Sequence, residues 1–214
     1  MGDESVAKVI PKEKQAGGTE VWACASPPAD VVHVDEVIWS INPKSKQSIQ
    51  PRLQEPEPCG CTPEYSFGQY VPPCCIDTTC VLFACQEECP PVCSAAPYCQ
   101  NRRIGNKDWK NVQVFNAGPK GLGLKTLEDI EKGQFIIEYV GLAVRKRDLD
   151  DLFNEYRDER MLYIMSLDGD VYIDARKKGG IARYINHSCD PNCYVTRWKV
   201  RILPARPFIL EIFS

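Results

Sequence analysis

The feature that most constrains this sequence is a dense cluster of cysteines. Nine of the twelve cysteines in the 214-residue chain fall between Cys59 and Cys99. The same stretch contains Pro72-Pro73 and Pro90-Pro91 and few large apolar residues. A segment this short cannot bury enough apolar surface to fold by itself, so it needs covalent cross-links or bound metal.

The redox environment decides between disulfides and metal. The start of the chain, Met1-Gly2-Asp3-Glu4, lacks a charged-then-apolar signal peptide. No apolar run reaches the roughly 18 residues needed to span a bilayer. We therefore expect a soluble intracellular protein whose thiols stay reduced, which favours metal. The alternative, a disulfide-rich secreted protein, would contain no zinc and would unfold in a thiol reductant.

The spacing of the cysteines is typical of zinc ligands. Zinc is held by four ligands in a tetrahedron, with zinc–sulfur distances of about 2.3 Å, and closely spaced cysteines can supply two ligands from one turn. We predict that residues 56–105 form a small, loop-rich zinc domain that folds around its metal. The spacing runs Cys59-x-Cys61, Cys74-Cys75, Cys80, Cys85 and Cys89-x3-Cys93-x5-Cys99.

The rest of the chain reads as a leader followed by a mainly β domain. Residues 1–55 are rich in Pro, Lys, Glu and Ser, which predicts a mostly extended or disordered leader. Strands are predicted at Val112–Phe115 and Phe135–Val140. Apolar residues at helical spacing predict one amphipathic helix at 148–160. A last strand, Phe208–Phe213, is predicted to leave an exposed edge.

Charge gives no reason to expect strong nonspecific nucleic-acid binding, and we expect no strong sequence-specific binding. The formal net charge is -3, and phosphate neutralisation needs a basic face. We expect the clusters Arg102-Arg103, Arg145-Lys146-Arg147 and Arg176-Lys177-Lys178 to be solvated edges.

A run of polar residues from Arg183 to Cys193 indicates a ligand site. It places Asn186, His187 and Ser188 directly behind an apolar run, where an unsatisfied buried amide or imidazole would cost about 1–3 kcal/mol. Three further blocks precede it in order: Lys120-Gly121-Leu122-Gly123-Leu124, Phe135 to Gly141 and Tyr172-Ile173-Asp174-Ala175. Together these blocks resemble SET-domain protein lysine methyltransferases over about residues 59–212.

The SET resemblance implies a fold, a cofactor and site residues. The fold is a set of short twisted β-sheets in which the central motif threads a loop to form a pseudoknot, a rare exception to the avoidance of threading. The cofactor is S-adenosylmethionine, contacted largely through backbone and amide groups. The implied catalytic residues are Tyr163, Asn186 and His187. The implied cofactor-binding residues are Lys120, Gly121, Leu122, Gly123, Met161, Leu162, Tyr163, Arg183, Asn186 and His187.

The cysteine segment, with its closing Cys99-Gln100-Asn101-Arg102-Arg103, is similar to the AWS zinc domain that precedes some SET domains. This resemblance implies two zinc ions that share one bridging thiolate. Cys75 is the expected bridge, Cys74 remains an alternative, and Cys85 is expected to be supernumerary. The implied ligands are Cys59, Cys61, Cys75, Cys80, Cys89, Cys93 and Cys99.

The combined resemblance implies a histone H3 lysine N-methyltransferase of the lysine-36 subgroup, acting on the histone tail or nucleosome in the nucleus, on chromosomes. The SET-like part, 111–214, is expected to be incomplete at its carboxyl end. Glu211-Ile212-Phe213 matches only the opening of the block that carries the family's main catalytic tyrosine, and Cys189 lacks the later cysteines that bind zinc beside it. We therefore expect this chain alone to be inactive or nearly so. The alternative is a catalytically inactive, zinc-bearing chromatin interaction module.

Overall fold

The chain divides into two compact units. Unit 1 comprises Met1–Gln50, Lys110–Thr196 and Leu210–Ser214, and unit 2 comprises Pro51–Trp109 and Arg197–Ile209. The computed structural model describes residues 7–8, 30–39, 57–62, 64–66, 69–71, 75, 77–96, 98–149, 163–200 and 206–213.

The described residues are mainly β, which confirms the predicted fold class, while the pseudoknot stays a prediction. The strands are β1 Ala7–Lys8, β2 Val32–His33, β3 Glu64–Ser66, β4 Gln69–Val71, β5 Val112–Asn116, β6 Leu122–Thr126, β7 Phe135–Tyr139, β8 Gly141–Arg145, β9 Ile164–Asp168, β10 Val171–Gly179, β11 Asn186–His187, β12 Tyr194–Val200 and β13 Arg206–Phe213. Helical segments are α1 Val81–Ala84, residues 146–149, and 3-10 turns at Gly118–Lys120 and Ile181–Tyr184.

The long helix predicted at 148–160 falls mostly outside the described residues. Residues 146–149 are helical, and Leu149 is buried, as expected for the apolar face of that helix. Residues 150–160 are not among those described. No helix in the described ranges is both long enough and apolar enough to cross a membrane.

The β5–β6 hairpin confirms the strand predicted at Val112–Phe115. The two strands pair antiparallel, from Val112 opposite Thr126 to Asn116 opposite Leu122. Val114 and Leu124 are buried on this hairpin and pack with Tyr184 of the second 3-10 turn. This apolar contact holds the residues that lead into the central motif against the first glycine loop.

The largest sheet of unit 1 is built around β10. β8 and β9 flank it antiparallel, and β2 pairs with it in parallel. Ile38 extends this contact, because its N–H donates to Gly141 and its carbonyl accepts from Ala143, at 2.8 and 3.0 Å. Part of the predicted leader is therefore paired with a sheet of unit 1. Apart from 7–8 and 30–39, residues 1–55 lie outside the described ranges.

Two expectations about exposure were wrong. β13 lies between β12 and β7, so it is an inner strand and not the exposed edge that its place near the end of the chain suggested. Arg176, expected on a solvated edge, is buried and pairs with Asp174, with a Nη2–Oδ2 distance of 2.8 Å. Residues 173–176 of β10 are all buried, so both faces of the strand are covered where Arg176 lies.

Unit 2 is loop-rich and has a core made largely of thiols. Its buried cluster consists of five cysteines and Ala95. Beside it, the rings of Phe83 and Trp198 meet edge to face at 5.2 Å, and the Arg103 guanidinium lies 4.2 Å from the Trp198 ring centroid. With so few aliphatic groups in this cluster, another source of stability is needed, which fits the sequence argument for metal. The clustered cysteines are Cys75, Cys80, Cys89, Cys93 and Cys99.

Candidate active site and metal centre

The central motif and the first glycine loop are joined by a hydrogen bond. The Nδ2 group of Asn186, at the start of β11, donates to the carbonyl oxygen of Leu122 at 3.2 Å. Leu122 begins β6 directly after Gly121, whose φ of 75° lies in the left-handed region that glycine adopts without strain. Two blocks that are distant in sequence therefore form one surface.

Position 123 has no room for a side chain, so a glycine is required there. A Cβ atom there would lie 2.7 Å from Cε1 of Phe115 and 2.8 Å from Nδ2 of Asn186. Any side chain at position 123 would push on the amide that holds the two blocks together. The second glycine of the loop therefore permits the Asn186 contact, whatever else it does for a ligand.

His187 lies on β11, and one edge of this strand pairs with another part of the chain. β11 pairs antiparallel with β1, with Ala7 opposite His187 and Lys8 opposite Asn186. The His187 side chain is exposed, and its Nε2 lies 3.8 Å from Sγ of Cys189. Cys189 was expected to have no partner cysteines, and its described neighbour is this imidazole.

Tyr163 belongs to a second cluster, formed with Arg183 and Tyr184. The Arg183 guanidinium carbon lies 3.8 Å from the Tyr163 ring centroid and 5.2 Å from that of Tyr184. The two rings meet at 74° with centroids 6.4 Å apart. A guanidinium in contact with two aromatic rings gains cation–π stabilisation that grows as water is excluded.

Several donors in this cluster are buried without a hydrogen-bond acceptor. Within the described part of the chain, Nε and Nη1 of Arg183 and the hydroxyl of Tyr184 have none. Burial raises the pKa of Tyr184 and also that of nearby Tyr139, although the positive charge of Arg183 opposes both shifts. Buried donors that lack an acceptor suit a ligand that carries an anionic oxygen.

The predicted site residues are thus only partly assembled. The structure brings Leu122 and Gly123 to Asn186, and Arg183 to Tyr163. Lys120 is exposed at the end of its 3-10 turn. Met161 and Leu162 lie outside the described residues.

The cysteines of unit 2 form two groups with metal-site geometry. In each group the four sulfur atoms all lie within 4.8 Å of one another. Sγ of Cys59 is 3.6 Å from Sγ of both Cys75 and Cys93. Two sulfurs on one tetrahedral zinc, each at about 2.3 Å, would be about 3.8 Å apart. The groups are Cys59, Cys61, Cys75 and Cys80, and Cys59, Cys75, Cys89 and Cys93.

The two groups overlap, as a bridged pair of ions requires. Cys59 and Cys75 belong to both, and Cys75 is the bridge that the resemblance implied. Cys99 also contacts Cys89 and Cys93 through its thiol. The alternative bridge, Cys74, lies outside the described residues. Cys85, expected to be supernumerary, is exposed and belongs to neither group.

Burial and hydrogen bonding shift the pKa values of several unit 2 thiols strongly. Burial raises the pKa of Cys59, but hydrogen bonds from the Cys61 backbone and from neighbouring thiols outweigh it and bring the pKa to about 7. A hydrogen bond with Cys89 lowers the pKa of Cys99 to about 6 and raises that of Cys89. Thiolate is the form that binds metal. All ten cysteines that the structure describes are free, which counts against a disulfide scaffold.

Two buried polar residues hold the loop around Cys89. Asn101 donates from Nδ2 to the Glu87 carbonyl at 2.7 Å and to Sγ of Cys89 at 3.5 Å. The Glu88 carboxylate accepts from the backbone N–H groups of Ile104 and Gly105. Burial raises the pKa of Glu88 to about 7 despite those hydrogen bonds. Their hydrogen bonds resemble those of the outer residues that commonly support metal ligands.

Comparison with known families identifies the part of the chain that contains β6 to β12. The family model of the SET domain matches residues 121–210. Those residues are a SET domain. The match includes Asn186, His187 and Tyr163, and it begins at the first glycine loop.

Curated relatives of this SET protein are histone-lysine N-methyltransferases. The one from Aspergillus fumigatus, named H3 lysine-36 specific, is 38% identical over 146 residues, which is 66% of this chain and 15% of the relative. Its counterpart from Emericella nidulans is 40% identical over 129 residues, 59% of this chain and 13% of the relative. ASHH2 of Arabidopsis thaliana is 39% identical over 110 residues, 50% of this chain and 6% of the relative.

The SET chain therefore spans between 6% and 15% of the length of these three relatives. All three are named as transferases, and these names do not favour the alternative of an inactive module. The recognition of a SET-domain lineage with a cysteine-rich segment is confirmed.

Sequence reasoning missed three parts of the SET site. Phe115 lies on β5, and its ring leaves no room for a side chain at position 123; in the sequence it looked like an ordinary strand residue. Tyr184 adjoins Arg183 in the central motif and could have been singled out from that position. The pairing of Ala7 and Lys8 with β11 left no local signal, because contacts this distant in sequence depend on the folded chain.

Proposed function

We propose that this chain carries the catalytic domain of an S-adenosylmethionine-dependent protein lysine N-methyltransferase that acts on histone H3, at lysine 36. The observation that carries the proposal is the hydrogen bond from Asn186 to Leu122 within the matched SET region. It joins the two motifs that the family uses for its cofactor. The names of the relatives support the substrate.

The residues around this junction fit the cofactor. S-adenosylmethionine, when bound, supplies a methyl group on a positively charged sulfur. Leu122, Gly123, Asn186 and His187 would hold it through backbone and amide groups. The buried hydroxyl of Tyr184, which has no acceptor in the described part of the chain, fits a carboxylate group.

The chain's own residues would contribute to the reaction by holding the target amine and the methyl group in position. The target amine must be neutral when it attacks, and its proton leaves to solvent beforehand. Tyr163 would orient that amine through its hydroxyl. Holding the reacting atoms in line and excluding water supplies most of the rate increase in such a transfer, so no strong acid or base is required.

Zinc in unit 2 would serve folding. We infer that two zinc ions bind the seven predicted cysteines, Cys59, Cys61, Cys75, Cys80, Cys89, Cys93 and Cys99, with Cys75 as the bridge. The overlap of the two sulfur groups supports two ions. Four thiolates leave no open position on a structural zinc ion, so we assign the ions no step in catalysis.

A histone substrate places the protein on chromosomes in the nucleus, with the H3 tail or the nucleosome as its partner. The net charge of -3 supports recognition of a basic tail in preference to free nucleic acid.

The test is methyl transfer from labelled S-adenosylmethionine to nucleosomes. Because the chain alone is expected to be inactive or nearly so, it is compared with a chain extended by the family's carboxyl-terminal block. We expect the extended chain to label histone H3, and to leave H3 unlabelled when lysine 36 of H3 is replaced by alanine. Tyr163→Phe should lower turnover, whereas Cys85→Ser, at an exposed position outside both sulfur groups, should leave it unchanged. A chain that neither binds S-adenosylmethionine in calorimetry nor transfers label would contradict the proposal.

A further inference from the structure

Arg183 is a buried cation whose described contacts are aromatic. The residue is 7% exposed, and its guanidinium carbon lies 3.8 Å from the centre of the Tyr163 ring. The Tyr184 ring is the second neighbour, at 5.2 Å. Burying a charge is costly unless something compensates for it, and the faces of these rings supply compensation. The position of Arg183 is therefore tied to that of Tyr163.

The backbone at Tyr163 is already fixed by other contacts. Its carbonyl accepts a hydrogen bond from the Ala175 N–H at 2.8 Å, and the next residue, Ile164, begins β9 opposite Asp174. What remains free is the side chain, whose two torsions set the direction of the hydroxyl. Arg183 lies on the face of the ring, where it can restrict those torsions.

Arg183 is itself held in place. It lies in the 3-10 turn Ile181–Tyr184, whose last residue is buried against Val114 and Leu124. The guanidinium is therefore presented from a packed element and not from a mobile loop. A planar guanidinium can lie against a ring, whereas the compact ammonium of lysine cannot match that contact over the same area.

We propose that Arg183 is a positioning residue for Tyr163: the guanidinium of Arg183 fixes the Tyr163 ring and thereby directs its hydroxyl toward the target amine. This inference rests on the proposed methyl transfer. It assigns to Arg183 a role distinct from the cofactor contact that the family resemblance implies. The two roles make different kinetic predictions.

The experiment is a double-mutant cycle with Arg183→Lys and Tyr163→Phe in the chain extended by the family's carboxyl-terminal block, assayed on nucleosomes. Arg183→Lys keeps the charge and should lower kcat about tenfold, with the KM for S-adenosylmethionine unchanged. In the Tyr163→Phe background the same change should cost almost nothing, because no hydroxyl remains to be aimed. Arg145→Lys is the matched control, because Arg145 binds Asp170 at 3.1 Å and should keep full activity.

Two results would overturn the inference. If Arg183→Lys raises the KM for S-adenosylmethionine at constant kcat, equally in both backgrounds, the guanidinium contacts the cofactor directly. If the Tyr163 ring signal in a ¹³C-tyrosine NMR spectrum is unchanged by Arg183→Lys, the ring is not held by Arg183. This second readout needs no turnover, so it separates failure of this inference from failure of the proposed enzyme, which wild-type cofactor binding tests.

Discussion

The side-chain amide of Asn186 donates a hydrogen bond to the carbonyl of Leu122, 64 residues earlier in the chain, at 3.2 Å. This contact turns two short motifs, each weak evidence by itself, into one candidate cofactor surface. The glycine at position 123 leaves room for the Asn186 amide. The packing of Tyr184 on Val114 and Leu124 holds the central motif beside the β5–β6 hairpin.

Replacing Asn186 by aspartate should break the junction. The new carboxylate oxygen would face the Leu122 carbonyl oxygen with no proton between them, at a cost of about 1–3 kcal/mol. We expect a fall in S-adenosylmethionine affinity of about tenfold or more, measured by calorimetry. Asn106→Asp, at an exposed position of unit 2, is the control and should bind like the wild type. Equal affinities for both variants would show that the junction does not support binding.

Gly123→Ala should destabilise unit 1 by overpacking. The added methyl group would lie 2.7 Å from the Phe115 ring and 2.8 Å from the Asn186 amide, and such overpacking costs about 1–3 kcal/mol. Thermal unfolding should show a lower midpoint. Adding Phe115→Leu removes the ring atoms in the way and should recover part of the loss. If no recovery follows, the clash with Phe115 is not the cause.

Metal removal should unfold unit 2. Its buried cluster is made of five cysteines and Ala95, so a strong chelator removes the main source of its stability. We expect two equivalents of zinc per chain by elemental analysis, and loss of unit 2 signals in NMR after chelation. Cys59→Ser should cause the same loss, because Cys59 belongs to both sulfur groups, whereas Cys85→Ser should not. One equivalent of zinc would rule out the bridged pair.

The ion pair between Asp174 and Arg176 should be costly to break. Both side chains are at least nine-tenths buried, and the carboxylate accepts from the backbone N–H, Nε and Nη2 of Arg176. Asp174→Asn removes the negative charge from this buried ion pair and should cost about 3–5 kcal/mol in chemical denaturation. Replacing both residues with apolar ones, as in Asp174→Leu with Arg176→Met, should cost less than the single change. A single variant as stable as the wild type would contradict this.

The sequence predicted local features better than long-range ones. The spacing from Cys59 to Cys99 predicted metal binding, because cysteines that are close in sequence can bind one ion whatever the rest of the fold. Strand β7 was predicted from a run of apolar, β-branched and aromatic residues. The sequence did not reveal that Arg176 is buried, since its neighbours Lys177 and Lys178 are exposed and all three looked alike.

The candidate site shows the same limit. The motif residues Asn186 and Gly123 were predicted from the sequence. Their contacts with the Leu122 carbonyl and the Phe115 ring were not predicted, because the β5–β6 hairpin meets the motif only in the folded chain. β2 was assigned to a leader because its two residues carry no periodic pattern, and its pairing with β10 depends on the sheet already being present.

The pairing of β1 with β11 leads to the last prediction. Ala7 and Lys8 lie opposite His187 and Asn186, whose backbone groups the proposed function assigns to the cofactor. One edge of β11 cannot serve a strand and a ligand together, so the two should compete. Removing residues 1–10 should tighten S-adenosylmethionine binding by about tenfold, since each backbone hydrogen bond contributes about 0.5–1.5 kcal/mol. Removing residues 1–5 leaves β1 intact and should change nothing. If the longer deletion weakens binding, β1 supports the motif and does not compete with the cofactor.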